Sequence, residues 1–227
     1  MKEDLIKYFE SFISPNRIKL INDILPKRTR YVTIVLEDIN QPHNASAILR
    51  TCEGLGIQDI HIIENQNKFK PSHEIALGTE QWLNIYKYNQ KENNTLHAIH
   101  YLKENGYRII ATSSNITGKT LDKFNLFHGR AAFVFGSELN GISNEIKGAA
   151  DEFLKIPMFG FAESYNISVS AAIVLHHVSW KLRRSKINWK ISDDELNDIR
   201  LNWLKSSIKK PELIEKHFLQ NIFQKKI

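Results

Sequence analysis

Three short segments hold most of the residues of this chain that could do chemistry. They are Gln41-Pro42-His43-Asn44 with Arg50 beyond it, Gly136-Ser137-Glu138-Leu139-Asn140-Gly141, and Ile156-Pro157-Met158-Phe159-Gly160 through Glu163-Ser164-Tyr165-Asn166. Arg50 is the one charged residue between positions 44 and 52. An arginine among small and apolar neighbours needs a carboxylate, a phosphate or a partner surface. On a helix Asn44 and Arg50 would lie about 9 Å apart along the axis and about 120° apart around it, so one face cannot offer both to a small ligand. The two glycines of the second segment let backbone approach a ligand closely. Their spacing matches neither GxGxxG nor a Walker loop, which argues against a nicotinamide or nucleoside-triphosphate site. Each segment also has a plainer reading: Asn44 as a helix cap, Arg50 in an intrachain ion pair, the glycine segment as a tight strand-to-helix turn, and Glu163, Ser164 and Asn166 as capping groups.

The elements around these segments follow from periodicity. Apolar, β-branched runs predict strands at 31–37 (YVTIVLE), 59–64, 83–88, 107–113, 131–136 and 153–158. Helices are predicted at the N-terminus, where Leu5, Ile6, Phe9, Phe12 and Ile13 form one stripe, and over 44–56, 93–104, a short stretch from Ser143, 166–184, 192–206 and 211–223. Strands alternating with helices give an α/β fold, a parallel sheet with helices on both faces. In such sheets ligands collect at the carboxyl ends of strands, where all three segments fall.

Charge divides the chain more sharply than composition does. Residues 181–227 hold 12 Lys/Arg against 6 Asp/Glu, and residues 1–180 hold 19 of each, so the net +6 lies in the tail. A second basic group, Arg17, Lys19, Lys27, Arg28 and Arg30, sits near the N-terminus, and Trp180, Trp189, Trp203, Phe218 and Phe223 are interleaved in the tail. Basic clusters with aromatics suit a nucleic-acid backbone, although solvated helices whose aromatics pack inward would read the same way. The single cysteine, Cys52, excludes an intramolecular disulfide and a multi-cysteine metal site, so no metal is expected. No apolar run reaches the roughly 18–20 residues of a membrane helix and the N-terminus is not a signal peptide, so the expected location is cytoplasmic.

In order and spacing the three segments resemble the signature motifs of the SpoU branch of SPOUT methyltransferases, over residues 30–184: Asn44-Ala-Ser-Ala-Ile-Leu-Arg50, Phe135-Gly-Ser-Glu-Leu-Asn-Gly141, and Ile156-Pro-Met through Ser164-Tyr-Asn166-Ile-Ser-Val. The flanks resemble the TrmH type within that branch, with short helical extensions at 1–28 and 185–227 around a catalytic domain at 29–184. The resemblance implies a C-terminal trefoil knot, an obligate homodimer, and S-adenosylmethionine held largely by backbone at Thr112, Ser113, Gly136, Ile156, Met158 and Tyr165. Tyr165 stands where that family usually has leucine.

The implied activity is methyl transfer to the ribose 2′-hydroxyl of a guanosine in tRNA, guanosine-18 of the D-loop above all. Ribosomal RNA, another tRNA position, or a non-catalytic RNA-binding module of the same fold are the alternatives. By the same resemblance Arg50 reaches in from the partner subunit. Being always protonated it is a poor base, so its expected task is to grip a phosphate beside the target ribose. Asn44 is expected to bond Arg50 or the ribose, with Glu138, Ser164 and Asn166 shaping the pocket. Arg17, Arg28, Arg30, Arg183, Arg184 and Lys186 are the expected RNA contacts.

Overall fold

The computed structural model describes residues 1–113 and 117–224. In chain order the elements are α1 (Lys2–Glu10), α2 (Pro15–Ile24), β1 (Val32–Glu37), α3 (Pro42–Gly54), β2 (Asp59–Ile63), α4 (His73–Ala76), β3 (Asn84–Tyr88), α5 (Asn94–Glu104), β4 (Arg108–Thr112), β5 (Lys119–Thr120), β6 (Ala131–Phe135), α6 (Asn144–Ala149), β7 (Glu152–Lys155), α7 (Ile167–Arg183), α8 (Asp193–Ser206) and α9 (Pro211–Gln224). They divide into two compact units, Thr29–Trp189 and the two chain ends Met1–Arg28 with Lys190–Ile227. The second unit is built from both ends of the chain.

Among the described residues the larger unit holds seven parallel strands in the order β3-β2-β1-β6-β4-β7-β5. β1 is buried along its whole length, as a β-branched run covered on both faces should be. Its side chains alternate between two cores. Ile34 and Leu36 join Ile48, Leu49, Val174 and Leu175 under α3 and α7, while Val35 joins Ala98, Ile99, Leu102 and Ile146 under α5 and α6. The registers Leu36↔Phe135, Ala111↔Val134 and Thr112↔Leu154 bring the carboxyl ends of β1, β6, β4 and β7 side by side.

The predicted strands all form, the last ending at Lys155 instead of 158 because the chain turns off at Ile156. β5, α2 and α4 were not predicted. β5 has two residues and α4 has four, too short for any periodic signal. α2 is marked by Ser14, whose side chain accepts from the Arg17 amide, and by Pro15 in its first turn.

In the helical unit Ile6, Phe9, Ile21, Ile199, Trp203, Leu204 and Phe218 are buried. Arg200–Glu10 at 2.5 Å and Lys205–Glu215 at 2.7 Å tie its helices together. α8 opens with a capping box between Ser192 and Glu195. Among the described residues no helix is long and apolar enough to cross a membrane.

Candidate active site

Where β6, β4 and β7 end, the chain leaves a cleft of about 570 Å³. Thr112 and Ser113 line it from the end of β4, Gly136 and Glu138 from the loop after β6, Ile156 and Met158 from the segment after β7, and Ser164, Tyr165 and Asn166 from the approach to α7. The six residues expected to hold a cofactor therefore share one cavity with three of the five expected catalytic residues. Leu154 and Ile142 supply further apolar lining.

Gly136 is required by its own loop. Ser137 and Gly141 exchange backbone hydrogen bonds of 3.0 and 2.9 Å, and Gly141 takes φ +66° to close the turn. A Cβ on Gly136 would come within 2.1 Å of the Gly141 carbonyl group, so only glycine fits.

Asn44 is not a cap. The helix starts two residues earlier, at Pro42, and Asn44 lies in its first turn, 6% exposed. Its Nδ2 donates to Glu138 Oε1 at 2.9 Å and to Gln41 Oε1 at 3.0 Å, and its Oδ1 accepts from Asn166 Nδ2 at 3.1 Å. Asn166 does cap α7, accepting at Oδ1 from the Ser168 amide at 2.8 Å and the Ser168 hydroxyl at 2.6 Å. Capping and site-building are the same act here, because the amide has one end for each. The three sequence segments meet at this group.

Arg50 stands apart from the group. It is exposed, does not line the cleft, and donates from Nη1 to the Ile75 carbonyl at 3.3 Å. The expected Asn44–Arg50 bond is absent within the chain: the Asn44 oxygen that would have to accept from the guanidinium takes Asn166 Nδ2 instead, and the helical offset points Arg50 elsewhere.

The expected RNA contacts also separate. Arg17, Arg184 and Lys186 are exposed, and the Arg184 guanidinium lies 4.5 Å from the centre of the exposed Trp180 ring. Arg28 is 1% exposed with its guanidinium over Trp203 at 5.5 Å, so it packs the helical unit and cannot be a surface contact. Arg30 pairs with Asp59 at 3.1 Å. Arg183 donates to the Leu55 carbonyl at 2.7 Å and lies over Trp189, and burial lowers its pKa. Both guanidinium groups have acceptors inside their own unit, as partly buried ones must.

Sequence reasoning missed Gln41 and Ser168 as braces for Asn44 and Asn166, and Lys147 as a cation lining the cleft. Gln41 and Ser168 lie within three residues of their partners, and that short spacing was the available signal. Lys147 carries none, being an ordinary surface lysine of α6 by type. Among the described residues no cluster of His, Cys, Asp and Glu could hold a metal ion.

The model of the SpoU rRNA Methylase family matches residues 31–176. The chain is 41% identical over 218 residues, 95% of its length and 98% of the relative's, to the tRNA (guanosine(18)-2'-O)-methyltransferase of Borreliella burgdorferi. It is 32% identical to the enzyme of the same name from Thermus thermophilus, over 70% of this chain and 79% of that one. Among solved structures it is similar to the A. aeolicus TrmH/SpoU tRNA modifying enzyme, with a TM-score of 0.76 and 26% identity over 86% of this chain and 98% of that one. With its three motif segments joined at Asn44, Glu138 and Asn166, the chain belongs to the SpoU methylase family.

Proposed function

We propose that this enzyme transfers a methyl group from S-adenosylmethionine to the ribose 2′-hydroxyl of guanosine-18 in tRNA. The observation that carries the reading is the junction of Asn44, Glu138 and Asn166 at the cleft, in a chain 41% identical over nearly its whole length to an enzyme named for that reaction.

The cleft fits the donor by size and lining. Its volume falls in the range of small-molecule sites. Ile142, Leu154, Ile156 and Met158 offer apolar surface for a purine, while Thr112 and Ser113 offer polar groups for a ribose. Glu138 and Glu163 offer carboxylates, and Lys147 an ammonium, to a zwitterionic tail. When bound, the donor supplies a methyl on a positively charged sulfur, so a C–O bond forms as a C–S bond breaks and the hydroxyl proton leaves. The protein's share is to hold the ribose oxygen in line and take the proton away.

Asn44 has both N–H groups committed, so it acts as a strut that holds Glu138 and Asn166 at the cleft wall. Arg50 faces solvent in its own subunit and serves a second copy: in a homodimer it grips the phosphate beside the target ribose in the partner's cleft, and a phosphate oxygen takes the proton. Exposed basic side chains, Arg17 in one unit and Arg184 and Lys186 in the other, neutralise tRNA phosphates. The reading includes a trefoil knot in the catalytic unit and a cytoplasmic place of work, where the substrate is.

The test is to incubate the chain with unmodified tRNA and methyl-labelled donor, then map ribose methylation by nuclease digestion. A single 2′-O-methyl at guanosine-18 is expected. Methylation confined to ribosomal RNA or to another tRNA nucleotide overturns the assignment of substrate, and donor binding without transfer to any RNA overturns that of activity.

A further inference from the structure

Glu37 ends β1 as the one carboxylate of that strand and is 3% exposed. Burying a carboxylate is costly unless both oxygens are hydrogen-bonded, and here both are. Oε1 accepts from the Thr95 hydroxyl at 2.7 Å, and Oε2 accepts from the Ser143 amide at 2.9 Å. Thr95 in turn accepts from Asn65 Nδ2 at 2.8 Å, which anchors its hydroxyl.

Ser143 is where the cleft-lining loop after β6 stops and α6 begins, its side chain capping the helix through the Ile146 amide. The same stretch of chain that carries Glu37 also holds the middle of that loop. The Asn40 amide donates to Glu138 Oε2 at 3.4 Å, and Asn44 Nδ2 donates to Glu138 Oε1 at 2.9 Å. Glu37 itself does not line the cleft, so it does not meet a ligand there.

We propose that Glu37 is a positioning residue for the reaction: by gripping the Ser143 amide it fixes the exit of the loop Gly136–Ile142, and with it the wall that this loop presents to the methyl donor. The inference rests on the reading of the cleft as the donor site. Glu138 sets where the loop is pinned in the middle, and Glu37 sets where it must end, so the segment 37–44 acts as a two-point clamp on 136–143.

The experiment compares Glu37→Met, which keeps the volume and removes both acceptors, with Glu37→Gln, which keeps an acceptor for the Ser143 amide. S-adenosylmethionine binding to the full chain is measured by calorimetry, and amide hydrogen exchange is followed across 136–143. For Glu37→Met the donor dissociation constant and donor KM should rise about tenfold or more, with tRNA KM unchanged and loop exchange accelerated. Glu37→Gln should stay within about threefold of wild type, since one good hydrogen bond persists.

A second pair guards against misfolding. Ser143→Pro deletes the amide donor at φ −66°, which proline adopts, and should reproduce the Glu37→Met effect, whereas Ser143→Ala keeps the amide and should not. Unchanged loop exchange and donor affinity in Glu37→Met, or equal losses in Glu37→Gln and Glu37→Met, overturn the proposal. If the wild-type chain binds no donor while Glu37→Met still accelerates exchange over 136–143, the donor reading fails and the clamp survives.

Discussion

Asn166 donates through Nδ2 to the side-chain oxygen of Asn44 across 3.1 Å, joining positions 122 residues apart. The Asn44 amide in turn donates to Glu138, 94 residues away along the chain. Asn44→Ala removes the hub, but its partners Gln41, Glu138 and Asn166 are exposed and can turn to water, so stability should fall by only about 0.5–1.5 kcal/mol. Asn44→Asp sets a carboxylate against Glu138 and should impair transfer more than it impairs folding. Urea unfolding beside single-turnover rates separates the two; equal activity in the Asp variant and wild type would show that the junction is idle.

Arg50 makes one 3.3 Å bond and is exposed, so Arg50→Ala should change stability by less than about 0.5 kcal/mol. If Arg50 holds the phosphate beside the target ribose as proposed, transfer should nevertheless drop about a hundredfold or more while donor binding holds, because the substrate loses its positioning contact. Mixed with a chain whose own cleft is disabled by Gly136→Val, the Arg50→Ala chain should regain activity, each copy supplying what the other lacks. Failure of the mixture to recover any rate, with dimers verified by sedimentation, removes the shared site.

Gly136→Ala forces a methyl to within 2.1 Å of the Gly141 carbonyl group. The loop must open, at a cost of about 1–3 kcal/mol if the rest of the fold holds. Calorimetry should then find donor affinity abolished while circular dichroism stays that of the wild type. Normal affinity would mean that the loop's tight form is not the binding form.

His61 in β2 is 1% exposed, stacks on Tyr86 at 4.9 Å and shares a 2.9 Å hydrogen bond between Nδ1 and the Tyr88 hydroxyl. Its Nε2 is buried with no hydrogen-bond partner among the described residues. Burial lowers its pKa from 6.5 to about 3. Below about pH 6.5 the unfolded chain therefore takes up a proton that the folded chain refuses until about pH 3. The stability present above that range is lost as pH falls, by at most about 1.4 kcal/mol per pH unit. His61→Gln should flatten this slope between about pH 6.5 and about pH 5 in urea melts; parallel curves for the two proteins would count against it.

Deleting the basic tail is a poor test of its role, because Trp203 and Leu204 are buried in the helical unit and Arg28 lies over Trp203. Changing the exposed Arg17, Arg184 and Lys186 to Gln is cleaner. Binding of tRNA should weaken, and the slope of log affinity against log salt should shrink by about one for each phosphate no longer neutralised. An unaltered slope would put the phosphates against other side chains.

The alternation of the fold was legible because β1 is mostly apolar, β6 is wholly so, and α7 is long enough to repeat its pattern. The three polar segments could be read in one dimension as well, since strand ends, glycine spacing and helix entry are local matters. Their meeting could not. Asn44 has the residue type of a cap, and only the registers of β1, β6, β4 and β7 bring Glu138 and Asn166 to it. Charge misled for a related reason: Arg17 and Arg28 are alike as letters, yet one is exposed and the other is sealed under Trp203. Periodicity and turn chemistry act over a few residues, so the order of letters was enough to say which elements form and which residues stand at their ends. Hydrogen bonding and burial depend on neighbours a hundred residues away, so only the folded chain could say which polar groups use one another up and which, like Arg50, face solvent.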